Sequence, residues 1–374
     1  MRLYYFHPSR IPTEKAHGKS IVKTCEALGR YAEVILIFPG RRTIRQNLFD
    51  YYGVERNFRV VKTPTVDFFT KLNERYAFLA ECILFLFFAM ILLAKDKNKK
   101  IVLCREYFMV YFFGILHIFL RASVYLELHS FKFNRMFDKA LELSSGVFVI
   151  NNQMKRILRH AGYERKRIDV LPVGVTLSDF IVDGGGFNAA ALRKKFGINE
   201  EDIVVGHLGT LRVMGMDKGV QFLIRAFLEA VKSNPYLRLL FIGLKQDEIG
   251  LTHDRIVCTG FINPKLVPKY LSIIDAGMIP FPFTTYYRNF PSPMKLFEYM
   301  ASGKGVVSAE LPPIKEVLGE LGIYYDPKRI ESLIEVLKNL DSDALRIQGA
   351  FFRKQASNYT WDRRARTILI SLRY

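Results

Sequence analysis

Cysteine is scarce in this chain, with four in 374 residues, and tryptophan occurs once. Cys25, Cys82, Cys104 and Cys258 are too far apart in sequence for a paired metal-ligand or redox dithiol motif, and a chain this long needs no disulfide framework. A reducing cytosol suits that composition. The opening MRLYYFHPSRIP lacks the basic stretch, apolar core and small-residue cleavage site of a secretory signal, so export is not expected. No tract is dominated by Pro, Ser or Gln and no short repeat is visible, which excludes disordered and collagen-like chains. Acidic charge is also in deficit: 36 Asp and Glu stand against 55 Lys and Arg, for a net +19. Up to residue 175 the count is 29 basic against 15 acidic, so +14 of that excess falls in the first half. That half is expected to face an anionic partner such as a membrane surface, although a solvated basic surface accounts for the count equally well.

Half of the chain is hydrophobic, and its length calls for two domains of roughly 150 to 200 residues. Short β-branched and aromatic runs alternate with helical patterns, the signature of α/β units with parallel sheets. The first set of expected strands covers 2–6, 33–38, 101–104, 123–127, 146–150 and 168–171. After Leu171-Pro172-Val173-Gly174 and the loose stretch 182–186 the pattern restarts, with strands expected at 203–207, 237–242, 255–258, 277–279 and 305–307. Domains are therefore placed at 1–174 and from 175 onward. Two such halves would place a ligand cleft at the carboxyl ends of their strands. The apolar segment Ala77 to Ala94, followed by Lys95 to Lys100, approaches the length of a membrane span. Because a strand-like run follows at once, a helix packed on the first sheet is favoured, ahead of insertion at a membrane surface and of a true span.

The chemistry concentrates in the second half. The stretch IVVGHLGTLRVMGMDKGVQFL leads from a strand through Gly209, Gly215 and Gly219 into a helix. Backbone amides there can approach an anion while Arg212 and Lys218 neutralise it. It is no Walker loop, and three glycines at such a turn are ordinary by themselves. Further on, Ser292 is expected to cap a helix with Pro293 as its first residue, so that the amides from Ser292 through Met294 to Lys295 aim at whatever precedes them. Glu298 follows near apolar residues, where a buried carboxylate would need a partner such as a pair of ribose hydroxyls, whereas a solvated Glu298 would need none. His129 ends an apolar strand, which suits either a ligand contact or a structural histidine.

These residues carry a resemblance. The stretches YLELH (125–129), GVFVINNQMKRIL to IDVLPVGVTLSDF, the Arg212–Lys218 spacing, VCTGFINPKLVPKYLSIIDAGMIPFPF, SPMKLFEYMASGKGVVSAELPPIKEVL and NYTWDRRARTIL are similar to glycosyltransferase family 4. That family comprises retaining, nucleotide-sugar-dependent enzymes of the GT-B fold, two Rossmann-like parallel-sheet domains facing across a cleft. The resemblance implies that the first domain, 1–174, binds the acceptor and the second, 175–357, the nucleotide sugar, and that a last helix at 358–374 crosses back onto the first domain. It also implies that Arg212 and Lys218 bind the donor phosphates beside Gly209, and that the Ser292, Pro293, Met294 and Lys295 backbone holds the diphosphate. Glu298 would take the ribose, Phe261 and Ile262 would frame the base, His129 would sit at the transferred sugar, and His17 and Gly18 would lie where the acceptor enters. Phe290 replaces the first glutamate of the family's pair, which leaves the donor sugar open.

The expected activity is transfer of a hexosyl unit, with retention, to a hydroxyl of a lipid-linked or cell-envelope glycan. It would use no metal or other cofactor, in a cytoplasmic protein peripheral to the inner face of a membrane. Asp341-Ser342-Asp343 is no convincing metal-ligand pair, being placed in a late exposed helix. A basic membrane-anchored or polyanion-binding protein without transferase activity is the alternative. Nucleic acid is not an expected partner, because no aromatic-basic recognition motif or helix-turn-helix occurs.

Overall fold

In the computed structural model the described residues are 2–40, 46–65, 74–181, 187–213 and 215–372, with the side chains of 74–79 and 213 outside the description. The stretch 182–186, read above as a loose connection, lies outside the described residues. The chain divides into one unit of Met1–Pro172 with Trp361–Tyr374 and a second of Val173–Thr360.

The first unit is built on seven parallel strands: β1 (Arg2–Phe6), β2 (Glu33–Pro39), β3 (Arg59–Thr63), β4 (Lys100–Cys104), β5 (Ala122–Leu128), β6 (Gly146–Val149) and β7 (Ile168–Val170). Their order is β3-β2-β1-β4-β5-β6-β7, so the strand order reverses between β1 and β4. In open sheets of this kind the crevice at the carboxyl ends of the two reversing strands receives ligands. Strands such as β2, with six consecutive buried residues, read as unbroken apolar runs because helices cover both faces. The strand β3 was not expected from the sequence. It forms the edge of the sheet and carries Arg59 and Lys62, the charged pattern by which edges resist further pairing.

The helix Glu74–Lys95 packs against β2 and β3 with Cys82, Phe85, Leu86, Ala89 and Leu93 buried, while Ile83 and Phe87 are exposed. Phe6 of β1 touches both Phe85 and Phe113, which places this helix and the helix Tyr107–Ile115 over the same core. Each such side chain contributes about 1.5 to 3 kcal/mol of burial. Among the described residues no helix is long and apolar enough to cross a membrane. The last helix, Trp361–Ser371, packs on the helix Ala16–Gly29 and buries Arg364 beneath it.

The second unit restarts the pattern with β8 (Ile203–Leu208), a small antiparallel hairpin of β9 (Arg212–Val213) and β10 (Met216–Asp217), β11 (Leu237–Ile242), β12 (Ile256–Cys258), β13 (Ala276–Ile279), β14 (Gly305–Ala309) and β15 (Ile323–Tyr325). The six-stranded parallel sheet runs β12-β11-β8-β13-β14-β15, with its own reversal between β8 and β13. Two glycines allow close packing here. A Cβ on Gly277 of β13 would stand 2.2 Å from the ring of Tyr299, and one on Gly206 of β8 would stand 2.6 Å from Ile274. The Tyr299 hydroxyl accepts from Leu208 N at 2.9 Å, so the helix Met294–Ala301 is tied directly to the end of β8.

Candidate active site

The reversal points of the two sheets each gather titratable side chains. In the second unit, β8 ends in the loop that carries Gly209, whose φ of 115° only glycine adopts easily. The hairpin of β9 and β10 follows, with Arg212 exposed at its start and Lys218 just after it. Lys218 Nζ donates to Thr210 Oγ1 at 2.8 Å, folding the lysine back over Gly209, where a Cβ would be 3.8 Å from the ammonium. Gly219 opens the helix Val220–Ala230 with φ 79°, and a Cβ there would lie 1.7 Å from the Pro280 carbonyl oxygen. The loop after β8 is thereby pressed against the end of β13.

The helix Met294–Ala301 approaches the same place. It starts one residue later than the sequence suggests: Pro293 is extended and is itself the cap, with no side chain capping the first amides. Ser292 does not cap the helix, because its hydroxyl accepts from Val173 N at 3.2 Å. The uncapped first turn keeps backbone N–H groups and the positive end of the helix dipole available to an anion.

Lys295 is 9% exposed, its Nζ has no hydrogen-bond partner, and it lies 5.7 Å over the Phe281 ring. Burial, the neighbouring Lys218 and, in the opposite sense, Glu298 together hold its pKa well below the ordinary lysine value. Burial also lowers Lys218. Buried His207, at the end of β8, is kept neutral by burial and by both lysines. Lys295 thus has no hydrogen-bonded anionic partner beside an uncapped helix start, with Lys218 near enough to repel it, an arrangement that an incoming polyanion relieves. Glu298 is buried on the same helix, Phe261 is 80% exposed and Ile262 partly so in the loop after β12, and the Phe290 ring lies tilted against Tyr286 with centroids 5.8 Å apart.

In the first unit the cluster forms after β1, β4 and β5. Glu127, fully buried in β5, accepts from Tyr5 Oη at 2.9 Å on one oxygen. Its other oxygen faces Arg105 Nη2 at 2.8 Å, Arg364 Nη2 at 2.7 Å and His129 Nε2 at 2.7 Å. Burial alone would raise the Glu127 pKa, yet Arg105 and Arg364 hold it well below the carboxylate range. Burial and Arg105 lower His129 to about 4, against the opposing pull of Glu127. An ionised carboxylate only accepts, so the neutral imidazole carries its proton on Nε2 and presents Nδ1 as an acceptor. The His129 side chain is 31% exposed, so it remains open to a ligand.

His7 and His17 stand beside this cluster with ring centroids 5.3 Å apart, both neutral, His17 at about 4 through burial and Arg105. Gly18 is buried under Tyr52, whose hydroxyl takes the space a Cβ would need. The structure therefore gathers Gly209, Lys218, Lys295 and the start of the helix Met294–Ala301 in one unit, and His17 and His129 in the other. Arg105 and Arg364 were not singled out from the sequence: Arg105 lies in no motif, and Arg364 lies in the NYTWDRRARTIL stretch without any local sign of its partner Glu127. Among the described residues no group of three or more His, Cys, Asp or Glu side chains could hold a metal ion.

Two parallel-sheet α/β units of seven and six strands define the class: the fold is that of the GT-B glycosyltransferases. Residues 202–343 match the family model described as glycosyl transferases group 1. The chain is 32% identical over 118 residues to a Bacillus subtilis (strain 168) protein named as a teichuronic acid biosynthesis glycosyltransferase, TuaH, covering 30% of this chain and 28% of that protein. It is 25% identical over 252 residues to D-inositol 3-phosphate glycosyltransferase of Segniliparus rotundus, covering 62% of this chain and 53% of that one. The chain thus spans about half or less of the length of these curated relatives. Among solved structures, sucrose-phosphate synthase from Thermosynechococcus elongatus superposes with a TM-score of 0.76 at 15% identity, covering 100% of this chain and 98% of that one. Anabaena HepE in complex with UDP and glucose superposes with a TM-score of 0.73 at 16% identity, covering 100% and 99%.

Proposed function

We propose that the protein is a glycosyltransferase that moves a hexosyl unit from a nucleotide diphosphate sugar to an acceptor hydroxyl with retention at the anomeric carbon. The observation that carries this reading is buried Lys295, its Nζ without a hydrogen-bond partner, in the first turn of the uncapped helix Met294–Ala301, inside the segment that matches glycosyl transferases group 1. A diphosphate suits that place. As the anomeric bond breaks, negative charge grows on the leaving diphosphate, and Arg212, Lys218, Lys295 and the helix amides are the groups to stabilise it. This side-chain set makes a divalent ion unnecessary for the departure. Glu298 would hold the ribose, with Phe261 and Ile262 at the base, and the second unit would bind the donor.

The first unit would bind the acceptor, entering by His17 and Gly18. Neutral His129, fixed through Nε2 by Glu127, would accept a hydrogen bond at Nδ1 from a hydroxyl of the transferred sugar and so orient the ring. The acceptor is assigned to lipid-linked or cell-envelope glycans, met at the inner face of a membrane. In support stand the teichuronic acid role in the name of one relative and the basic excess of the first half of the chain. UDP and glucose are bound in the Anabaena structure, which makes UDP-hexoses the first donors to try. The test is to supply UDP-, GDP- and ADP-hexoses with membrane glycolipid extract, assay nucleotide release and read the anomeric configuration of the product. Retention with one donor supports the reading, whereas an inverted product or no release from any donor refutes it.

A further inference from the structure

The helix Glu74–Lys95 exposes Ile83 and Phe87, one turn apart and opposite its buried face. The helices Tyr107–Ile115 and His117–Leu120, with Leu116 between them, expose Phe112, Ile115, Leu116, Ile118 and Phe119, at spacings of three and four. Ile118 and Phe119 are 80% and 79% exposed, at the corner where the chain turns into β5. Solvated proteins scatter single apolar side chains, but a run of this density on adjoining helices marks a contact surface.

The two regions are fastened together. Lys100 Nζ, buried, donates to the carbonyls of Leu93 and Leu120 at 2.8 Å each, and also to that of Asp96, so one ammonium caps the ends of both the first and the third of these helices. Arg121 Nη1 reaches the Lys97 carbonyl at 3.3 Å. The turn Lys95–Lys99 thus lies beside the Ile118–Phe119 corner. Every exposed ionic side chain from 83 to 121 is basic: Lys95, Lys97, Lys99 and Arg121. Asp96 is partly buried and paired with Arg2 and Tyr4, so it does not offset them.

We infer that this face of the first unit docks on an anionic lipid bilayer, with Ile118 and Phe119 entering the headgroup boundary and Lys95, Lys97, Lys99 and Arg121 meeting lipid phosphates. The inference rests on the membrane part of the proposed function and not on the transfer chemistry. Apolar side chains on a rigid corner with a cationic rim are the composition that binds reversibly in the interfacial plane. A protein partner of mixed charge would call for free acidic groups in the rim; among the described exposed residues from 83 to 121 there are none, and Glu33, which lines one cleft with Lys99, is paired with Arg2 and Arg59.

The full chain is sedimented with phosphatidylglycerol–phosphatidylcholine vesicles and with phosphatidylcholine alone, at low and high salt. Expected is binding to the anionic vesicles that salt releases, reduced about tenfold or more in Lys95→Glu/Lys97→Glu/Lys99→Glu and in Ile118→Ser/Phe119→Ser. Ile347→Ser/Phe351→Ser, which alters an exposed apolar pair elsewhere, serves as the control and keeps wild-type binding. Unchanged melting of the corner variant shows that it folds. Phe119→Trp supplies a second readout, a blue shift on adding anionic vesicles. Equal binding of the corner variant and wild type, equal binding to both lipids, or a dimer that Ile118→Ser/Phe119→Ser dissociates with no vesicle binding would each overturn the inference. Nucleotide release, measured without vesicles, separates the two proposals: vesicle binding without release from any donor defeats the transfer reading alone, and release without vesicle binding defeats docking alone.

Discussion

Arg364 and Glu127 are 237 positions apart in the chain, yet Arg364 Nη2 stands 2.7 Å from Glu127 Oε1 with both side chains buried. The contact joins the last helix to β5, the strand that His129 follows. Arg364 also donates to the carbonyls of Leu171 and Pro172, so one guanidinium closes the first unit at its far end and steadies the carboxylate beneath the histidine.

Breaking a buried pair by removing one partner costs about 3 to 5 kcal/mol, and Arg105 remains on Glu127 to soften the loss. Arg364→Met is expected to destabilise the first unit by about 3 kcal/mol. Urea unfolding measures the loss, and amide exchange should rise along 122–128. Wild-type stability in this variant would show that the pair is incidental.

His129→Ala should lower turnover about a hundredfold or more while changing the melting temperature little, because the imidazole is partly exposed and Glu127 keeps three other donors. With His129 at about 4, turnover should also show no inflection from this group between pH 5 and 8. A less stable protein with normal turnover per folded molecule would make the histidine structural.

Gly219→Ala places a methyl 1.7 Å from the Pro280 carbonyl at a φ of 79°, and neither backbone can yield without the other. The expected cost is about 3 kcal/mol or more, with loss of nucleotide binding in whatever folds. Thermal unfolding and nucleotide titration of the one variant read both effects.

His7, His17, His129 and His207 all have pKa values pushed below the ordinary 6.5, chiefly by burial. The unfolded chain therefore binds more protons than the folded one as pH falls below about 6.5, and folding stability falls with it. Each histidine contributes at most about 1.4 kcal/mol per pH unit in that window, which for His17 and His129 ends near pH 4. Melting temperature should decline steadily from pH 7 to pH 5 in the wild type and less steeply in His7→Asn. A flat profile would show that these rings titrate in the fold as they do in the unfolded chain.

Apolar runs made most of the architecture readable in advance: β1, β8 and β11 are buried and carry their pattern in a few consecutive residues. The strands β3 and β15 were missed: β3 is an edge whose apolar residues are interrupted by Arg59 and Lys62, and β15 is a three-residue edge no more buried than β7 and β12, which were read. The helix at Met294 was legible from Ser292-Pro293, but its first residue was misplaced because the serine hydroxyl is drawn to Val173, a contact made only on folding. The phosphate-site candidates lie within short motifs and could be named. The bonds from Arg105 and Arg364 to Glu127 close over long separations, and no local pattern announces them.

The most direct test is a calorimetric titration of nucleoside diphosphates and their hexose conjugates into wild type, Arg212→Ala and Lys218→Ala, with EDTA present throughout. Each lost charge-assisted contact is worth about 1.5 to 3 kcal/mol, so both variants should bind at least about tenfold more weakly, and turnover with the preferred donor should persist in EDTA. Proton uptake on binding is also expected at alkaline pH, because burial has lowered Lys218 and Lys295 and a diphosphate would raise them. If no nucleotide or nucleotide sugar binds the wild type, or if one binds it and both variants equally, the second unit is not the donor site and the account fails.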